Sequence, residues 1–146
     1  MQLQDIMVKH VATIGGEDTI THAAERMYGQ NVGTLVVLDE GSITGIITDR
    51  DIVVRCTRHG HDTGGCLVTH HMSSPVSKAS PKMDIVDAAR MMSERQIKRL
   101  PVVENGRLVG LVSSSDIACA ADELIHGLHE VLLGMNKLQL VHQRAG

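Results

Sequence analysis

The chain predicts an α/β (α+β) fold made of two β-α-β-β-α units, and three observations carry that prediction. The first is an internal duplication. Displaced by 65 residues (110 minus 45), Met7 falls on Met72, Val11 on Val76, Ile20 on Ile85, Leu35 on Leu100, Gly45 on Gly110 and Asp51-Ile52 on Asp116-Ile117. The second is an apolar helical stripe in each unit, Ile20, Ala23, Ala24 and Met27 at i, i+3, i+4 and i+7, repeated as Ile85, Ala88, Ala89 and Met92. The third is a pair of aliphatic runs around a tight turn. Thr34 to Leu38 and Ile43 to Ile47 flank Asp39-Glu40-Gly41; Leu100 to Val103 and Leu108 to Val112 flank Glu104-Asn105-Gly106.

Each unit opens with a short extended piece, Val11 to Ile14 or Val76 to Ala79. In the helix that follows, the Ala pair lets the backbone lie close to a sheet, and Ser80-Pro81 supplies a start signal in the second unit. Asn105-Gly106 between aliphatic runs is a strong hairpin signal, because both residues tolerate positive φ. A closing helix begins near Asp49 and near Ser114. One unit is too short to cover both faces of its sheet, so the two halves should pack sheet against sheet. The expected boundaries are 1–58 for the first unit, 59–70 for a flexible connector containing Gly60 and Gly64-Gly65, 71–122 for the second unit and 123–146 for a helical extension.

Composition narrows the function classes. Hydrophobic residues make up 42% but there is no Trp or Phe and one Tyr, so the core must be aliphatic. A formal charge of −3 gives no electrostatic basis for nucleic-acid binding, and the missing aromatics remove stacking platforms. No run approaches the ~20 apolar residues of a membrane span, and no signal-like segment is seen. Three cysteines, an odd number, point to a reducing compartment, and the expected location is the cytoplasm. No nucleophile–base pair, paired acids or metal triad is evident, so an enzyme is not expected.

The segments Gly45-Ile46-Ile47-Thr48-Asp49-Arg50-Asp51 and Gly110-Leu111-Val112-Ser113-Ser114-Ser115-Asp116 are the candidate binding elements. A strand that ends where a helix begins aims unpaired N–H groups and the helix dipole at one spot, where phosphate is a natural guest. The aspartate adds acceptors suited to a ribose diol. The same Thr/Ser-x-x-Asp spacing is also a capping box that needs no ligand, and duplication would copy a cap as readily as a site. On the binding reading Asp116→Ala silences one site with little loss of stability. On the cap reading it costs ~1 kcal/mol.

The connector region carries Cys56, His59, His61, Cys66, His70 and His71. These ligand types suit zinc, but no Cys-x-x-Cys or His-x₃-His pair anchors either end. The expectation is therefore no metal, with a solvated linker here; a metal- or redox-responsive protein is the alternative reading. At the C-terminal end Ile117, Ala121, Leu124, Leu128, Val131, Met135 and Leu138 alternate steps of four and three, a narrow helical seam. It should pack on its own sheet as far as Leu124 and beyond that serve a subunit contact.

The Ala-Ala helices, Leu100-Pro101-Val102-Val103 before Gly106, the two Gly-x-x-Thr/Ser-x-x-Asp segments and Thr48-Asp49-Arg50-Asp51-Ile52-Val53 followed by Arg55 resemble tandem cystathionine-β-synthase (CBS) domains, the Bateman module. The likeness to stand-alone bacterial two-CBS proteins covers residues 5 to about 122. It implies a pseudo-twofold pair of units, a homodimer, and AMP, ADP, ATP or S-adenosylmethionine held in clefts between the paired sheets as a regulatory ligand. Carried over by motif, Asp51 and Asp116 would hold ribose hydroxyls, with Thr48 and Ser113 on phosphate or ribose. Val11, Thr13, Val76 and Lys78 would line the adenine pocket, as would Val36, Val37, Pro101 and Val102 through strand backbone. Arg50 in one site, and Lys98 with Arg99 in the other, would supply positive charge. The function expected is a non-catalytic sensor of adenosine-containing ligands that signals to an unidentified partner through dimer geometry. The further alternative is a structural interaction module without ligand.

Overall fold

A computed structural model describes residues 1–144, the side chains as far as Met135. The elements are β1 (Thr13–Ile14), α1 (Ile20–Gln30), β2 (Thr34–Asp39), β3 (Ser42–Thr48), α2 (Asp49–Asp51), α3 (Ile85–Arg95), β4 (Arg99–Glu104), β5 (Arg107–Ser113) and α4 (Ser114–Arg144). α2 runs on through a π-helical turn, Ile52–Cys56, and a 3-10 turn, Thr57–His59. In the first unit β1 pairs parallel with β2, and β2 antiparallel with β3. The second unit repeats this as β4 antiparallel to β5, while Val76 to Ala79 contributes only a parallel bridge from Ala79 to Val102.

The duplication extends to fine detail. Both hairpins turn on two residues at positive φ, Glu40-Gly41 (52° and 79°) and Asn105-Gly106 (51° and 77°), the geometry that matches strand twist. Both carry a register shift at the same place, Val37/Leu38 and Val102/Val103. Both first helices end on a left-handed residue, Asn31 and Gln96. Ile20, Ala23 and Met27 are buried under one sheet and Ile85, Ala88 and Met92 under the other. Only the first alanine of each pair faces the sheet; Ala24 is exposed and Ala89 half-buried. The second unit's helix starts later than Ser80-Pro81 suggests. Its N-cap is Asp84, whose carboxylate accepts from the Val86 N–H, and Pro81 lies in the preceding turn.

The two cores are closed crosswise. Leu3, Ile6 and Met7, from the first repeat, pack with Ile85, Ala88, Leu100 and Val112 of the second. Val68, which matches Leu3 across the repeat, is fully buried with Ile20, Leu35 and Ile47 of the first, and Cys66 and Met72 pack beside it. Backbone bridges follow the same exchange: Val8 pairs with Leu111 and Ser73 with Ile46. The cores therefore do not each draw on one sequence unit alone: Leu3, Ile6 and Met7 join the second, and Val68 and Met72 the first. Nor is 59–70 an open linker, since Val68 N–H donates to the Asp18 carbonyl and Ile20 N–H to the Cys66 carbonyl. Val37 and Val102 face the helix-side cores, while Val36 and Pro101 point the other way and are equally buried, as two sheets packed on each other require.

This crossing gives the two junction glycines a steric role. A Cβ built on Gly45 would clash with the Met72 sulfur and crowd the Ser73 carbonyl oxygen, and one on Gly110 would clash with the Met7 sulfur. Gly110→Val is expected to lower stability by about 1–3 kcal/mol through overpacking. An unchanged denaturant midpoint would show that Met7 moves aside freely. Among the described residues, no helix is long and apolar enough to cross a membrane.

Candidate functional site

Each junction is a formed capping box. Thr48 Oγ1 accepts from the Asp51 N–H at 3.2 Å while Asp51 Oδ2 accepts from the Thr48 N–H at 2.9 Å. In the second unit Asp116 Oδ2 accepts from the Ser113 N–H (2.7 Å) and hydroxyl (2.8 Å), and Ser113 Oγ accepts from the Asp116 N–H (3.2 Å). One oxygen of each carboxylate is thus committed to the cap, so alanine at either position costs stability as well as an acceptor. The other oxygens differ. Asp51 Oδ1 faces the Arg55 guanidinium, with Nε at 3.5 Å. The residue matching Arg55 in the second unit is Ala120, and Asp116 Oδ1 takes no hydrogen bond among the described residues.

Asp116 and Ser113 line a cleft of about 270 Å³ between the units, together with Arg99, Val11 and Thr34. The cleft joins the end of β5 and the first turn of α4 to the segment before β1 and the start of β2. Its apolar wall comes from Val8, Ala12, Val32 and Leu111, and His10 lines it as well. That composition offers an acceptor for a diol, a cation for phosphate and an apolar slot for a base. Thr13 lies in an adjoining cleft of about 390 Å³ with Val11, Lys9 and Arg107. Val8, His10, Thr34 and Leu111 escape the sequence reading because the site is built across the repeat, from pieces the linear motifs do not join.

The remaining sequence candidates separate. Thr48 and Asp51 are half-buried at the first junction, and Val76 is half-buried on the segment after Ser73. Arg50 and Lys78 are exposed. Lys98 is exposed too and is not among the residues lining the Asp116 cleft. Val36, Val37, Pro101 and Val102 lie on β2 and β4 and are not among the residues lining the Asp116 cleft. The Val36 N–H donates to the Ala12 carbonyl and the Pro101 carbonyl accepts from the Ala79 N–H; β2 runs between β1 and β3, while β4 pairs with β5 on one edge and meets only the Ala79 bridge on the other.

A second constellation forms in the connector. One ligand atom from each of Cys56, His61, Cys66 and His71 lies within 4.8 Å of the others, whereas His59 and His70 are not part of this group. Burial pushes the Cys56 thiol above its ordinary pKa, and Cys66 beside it adds to the shift. Burial likewise holds His71 below the usual histidine value, reinforced by His61 and His70.

A family model for the CBS domain matches residues 3–57 and, a second time, 68–123. The chain belongs to the CBS domain family. This CBS pair is 40% identical over 116 residues to CBS domain-containing protein YhcV of Bacillus subtilis, covering 80% of this chain and 82% of that protein. Hypoxic response protein 1 of Mycobacterium tuberculosis is 32% identical over 116 residues, covering 79% and 81%. A crystal structure of Hypoxic Response Protein I with two coordinated zinc ions matches with a TM-score of 0.71 at 31% identity, over 81% of this chain and 97% of that one. The CBS domain pair of protein MJ0100, solved in complex with 5'-methylthioadenosine and S-adenosyl-L-methionine, matches with a TM-score of 0.75 at 29% identity, over 84% and 97%. The α+β fold expected from the repeat is that of these CBS pairs, and a regulatory module is the function they support.

Proposed function

We propose that this CBS pair is a non-catalytic sensor that takes an adenosine-containing ligand, an adenine nucleotide or S-adenosylmethionine, in the Asp116 cleft. The observation that carries this reading is that Asp116, with one carboxylate oxygen left outside the cap, lines the same cleft as Arg99 and the apolar wall of Val11 and Leu111. The Asp116 cap and a diol can be served at once, one by each oxygen. The adenosyl ligands of the MJ0100 pair support the ligand class. At the first junction Arg55 competes for the equivalent oxygen, so the two crevices should bind unequally, the Asp116 cleft more tightly.

Occupancy can reach a partner only if the ligand favours one arrangement of the protein over another. The path is short here, because Asp116 lies in the first turn of α4 and α4 carries the exposed seam of a homodimer contact. Calorimetric titration of the full chain with AMP, ATP and S-adenosylmethionine tests the reading. Asp116→Asn keeps an oxygen for the cap but loses the charge and one acceptor. It is expected to weaken binding by about ten- to a hundredfold, as loss of a hydrogen bond to a charged group does. Equal affinity in the variant, or no heat with any of the three at millimolar concentration, would leave the junctions as helix caps.

A further inference from the structure

The connector holds four metal-binding side chains that the nucleotide clefts do not use. Cys56, His61, Cys66 and His71 stand at regular five-residue intervals and come from three pieces of chain: the end of the π-helical turn, the loop after Gly60, and the turn that follows Val68–His70. Their ligand atoms lie within 4.8 Å of one another. Tetrahedral zinc, with Zn–S of about 2.3 Å and Zn–N of about 2.0–2.1 Å, sets ligand atoms roughly 3.3–3.8 Å apart. Side-chain rotation of about an ångström closes that difference.

The plain alternative is two core-lining thiols beside two unrelated histidines. Three features weigh against it. The side chains are in mutual contact rather than unrelated: the His61 and His71 ring centroids stand 5.5 Å apart, and Cys66 lies beside the buried Cys56. The backbone around the ligands is already tied down: Arg55 donates to the carbonyls of His71 (3.5 Å) and Met72 (3.2 Å), Ile20 N–H to that of Cys66 (3.0 Å) and His61 N–H to that of Cys56 (3.2 Å). Two sulfurs with two imidazoles, finally, are a donor set that selects zinc over hard cations.

We propose that Cys56, His61, Cys66 and His71 bind one zinc ion tetrahedrally and clamp the connector onto the first core. Both thiols bind as thiolates, so their protons go to solvent on loading. The clamp sits immediately before Met72 and Ser73, the residues that cross Gly45 and pair with Ile46. Zinc would therefore fix the segment that lies against β3 just before the Asp51 junction.

The test uses the full chain, kept reduced and equilibrated with zinc, with metal and free thiols counted together and cobalt(II) as the spectroscopic probe. About one zinc per chain is expected, with thiolate-to-cobalt charge transfer in the cobalt form. His61 is exposed, so His61→Ala should keep the fold while weakening zinc by about tenfold or more. Cys66→Ser should reduce the charge-transfer band, and His59→Ala and His70→Ala should change neither readout. Zinc absent while the thiols are free, a Cys56–Cys66 disulfide that persists with reductant and zinc present, or parental affinity in both ligand variants would overturn the proposal. None of these readouts depends on adenosyl binding.

Discussion

Replacing Leu3 by alanine is expected to destabilise the protein by about 2–5 kcal/mol, the cost of a large cavity in a packed core. That is a substantial part of the roughly 5–15 kcal/mol a domain possesses. Leu3 is fully buried although it belongs to the first sequence repeat, and the core it fills is the second one, with Ala79, Ile85, Ala88 and Leu100. Its segment is also stitched there by backbone: Leu3 N–H to the Met83 carbonyl (2.9 Å), Gln4 N–H to that of Pro81 (2.9 Å) and Val8 N–H to that of Leu111 (3.0 Å). A lower urea midpoint with an unchanged slope would locate the loss in the native state. Amide exchange should accelerate first in α3, which Leu3 covers, rather than in α1. A loss below about 1 kcal/mol would show that the crossing segment is dispensable.

The second large effect concerns α4. Ile117 is half-buried and Ala120 buried, but every described side chain from Ala121 to Met135 is exposed. Contact with the sheet thus ends at Ala120, one turn before the expected Leu124. The exposed surface is also broader than a narrow seam. Leu124, Leu128, Val131 and Met135 keep the expected stripe, and Ile125 (67%) and Leu132 (60%) widen it. Leu138 lies beyond the described side chains. A wide apolar face of this length belongs in a helix bundle rather than in water.

A second copy of this chain is the proposed occupant. Gly127 and Gly134, seven residues apart, have nothing of their own chain within 4 Å of a built Cβ, which leaves room for a close helix. Burying Leu124, Leu128, Val131 and Met135 from both copies contributes about 1.5–3 kcal/mol per side chain before the cost of association is deducted. Sedimentation at micromolar concentration should therefore give a dimer for the full chain and a monomer after truncation at Asp122. A dimer that survives truncation would move the interface elsewhere.

Much of this was legible in the sequence because the duplication makes each local signal count twice. The helical stripes, the Asn105-Gly106 hairpin and both Thr/Ser-x-x-Asp junctions fall where the pattern places them. The crossing of Leu3 and Val68 was not legible, since each sits in a 3-10 turn of three residues, too short to carry a period. The Cys/His residues were legible as ligand types, but their convergence was not, for a different reason. Their spacing of five matches none of the short ligand pairs that mark zinc sites in sequence, and their convergence depends on Val68 folding back into the first core. The cleft was half legible: Asp116, Ser113, Arg99 and Val11 were marked by motif, while Thr34 and Leu111 required the two units to be placed together.

One helix holds both the carboxylate that would grip a sugar and the greasy side chains that would meet a neighbour. From Asp116 to Met135 α4 rises about 28 Å, at 1.5 Å per residue. As a lever it would amplify: a pivot of about 5° at its base would sweep the far end through roughly 2.5 Å, about half a helical turn's rise. An event no larger than a side-chain adjustment at the fulcrum would then arrive at the other end as a changed docking angle.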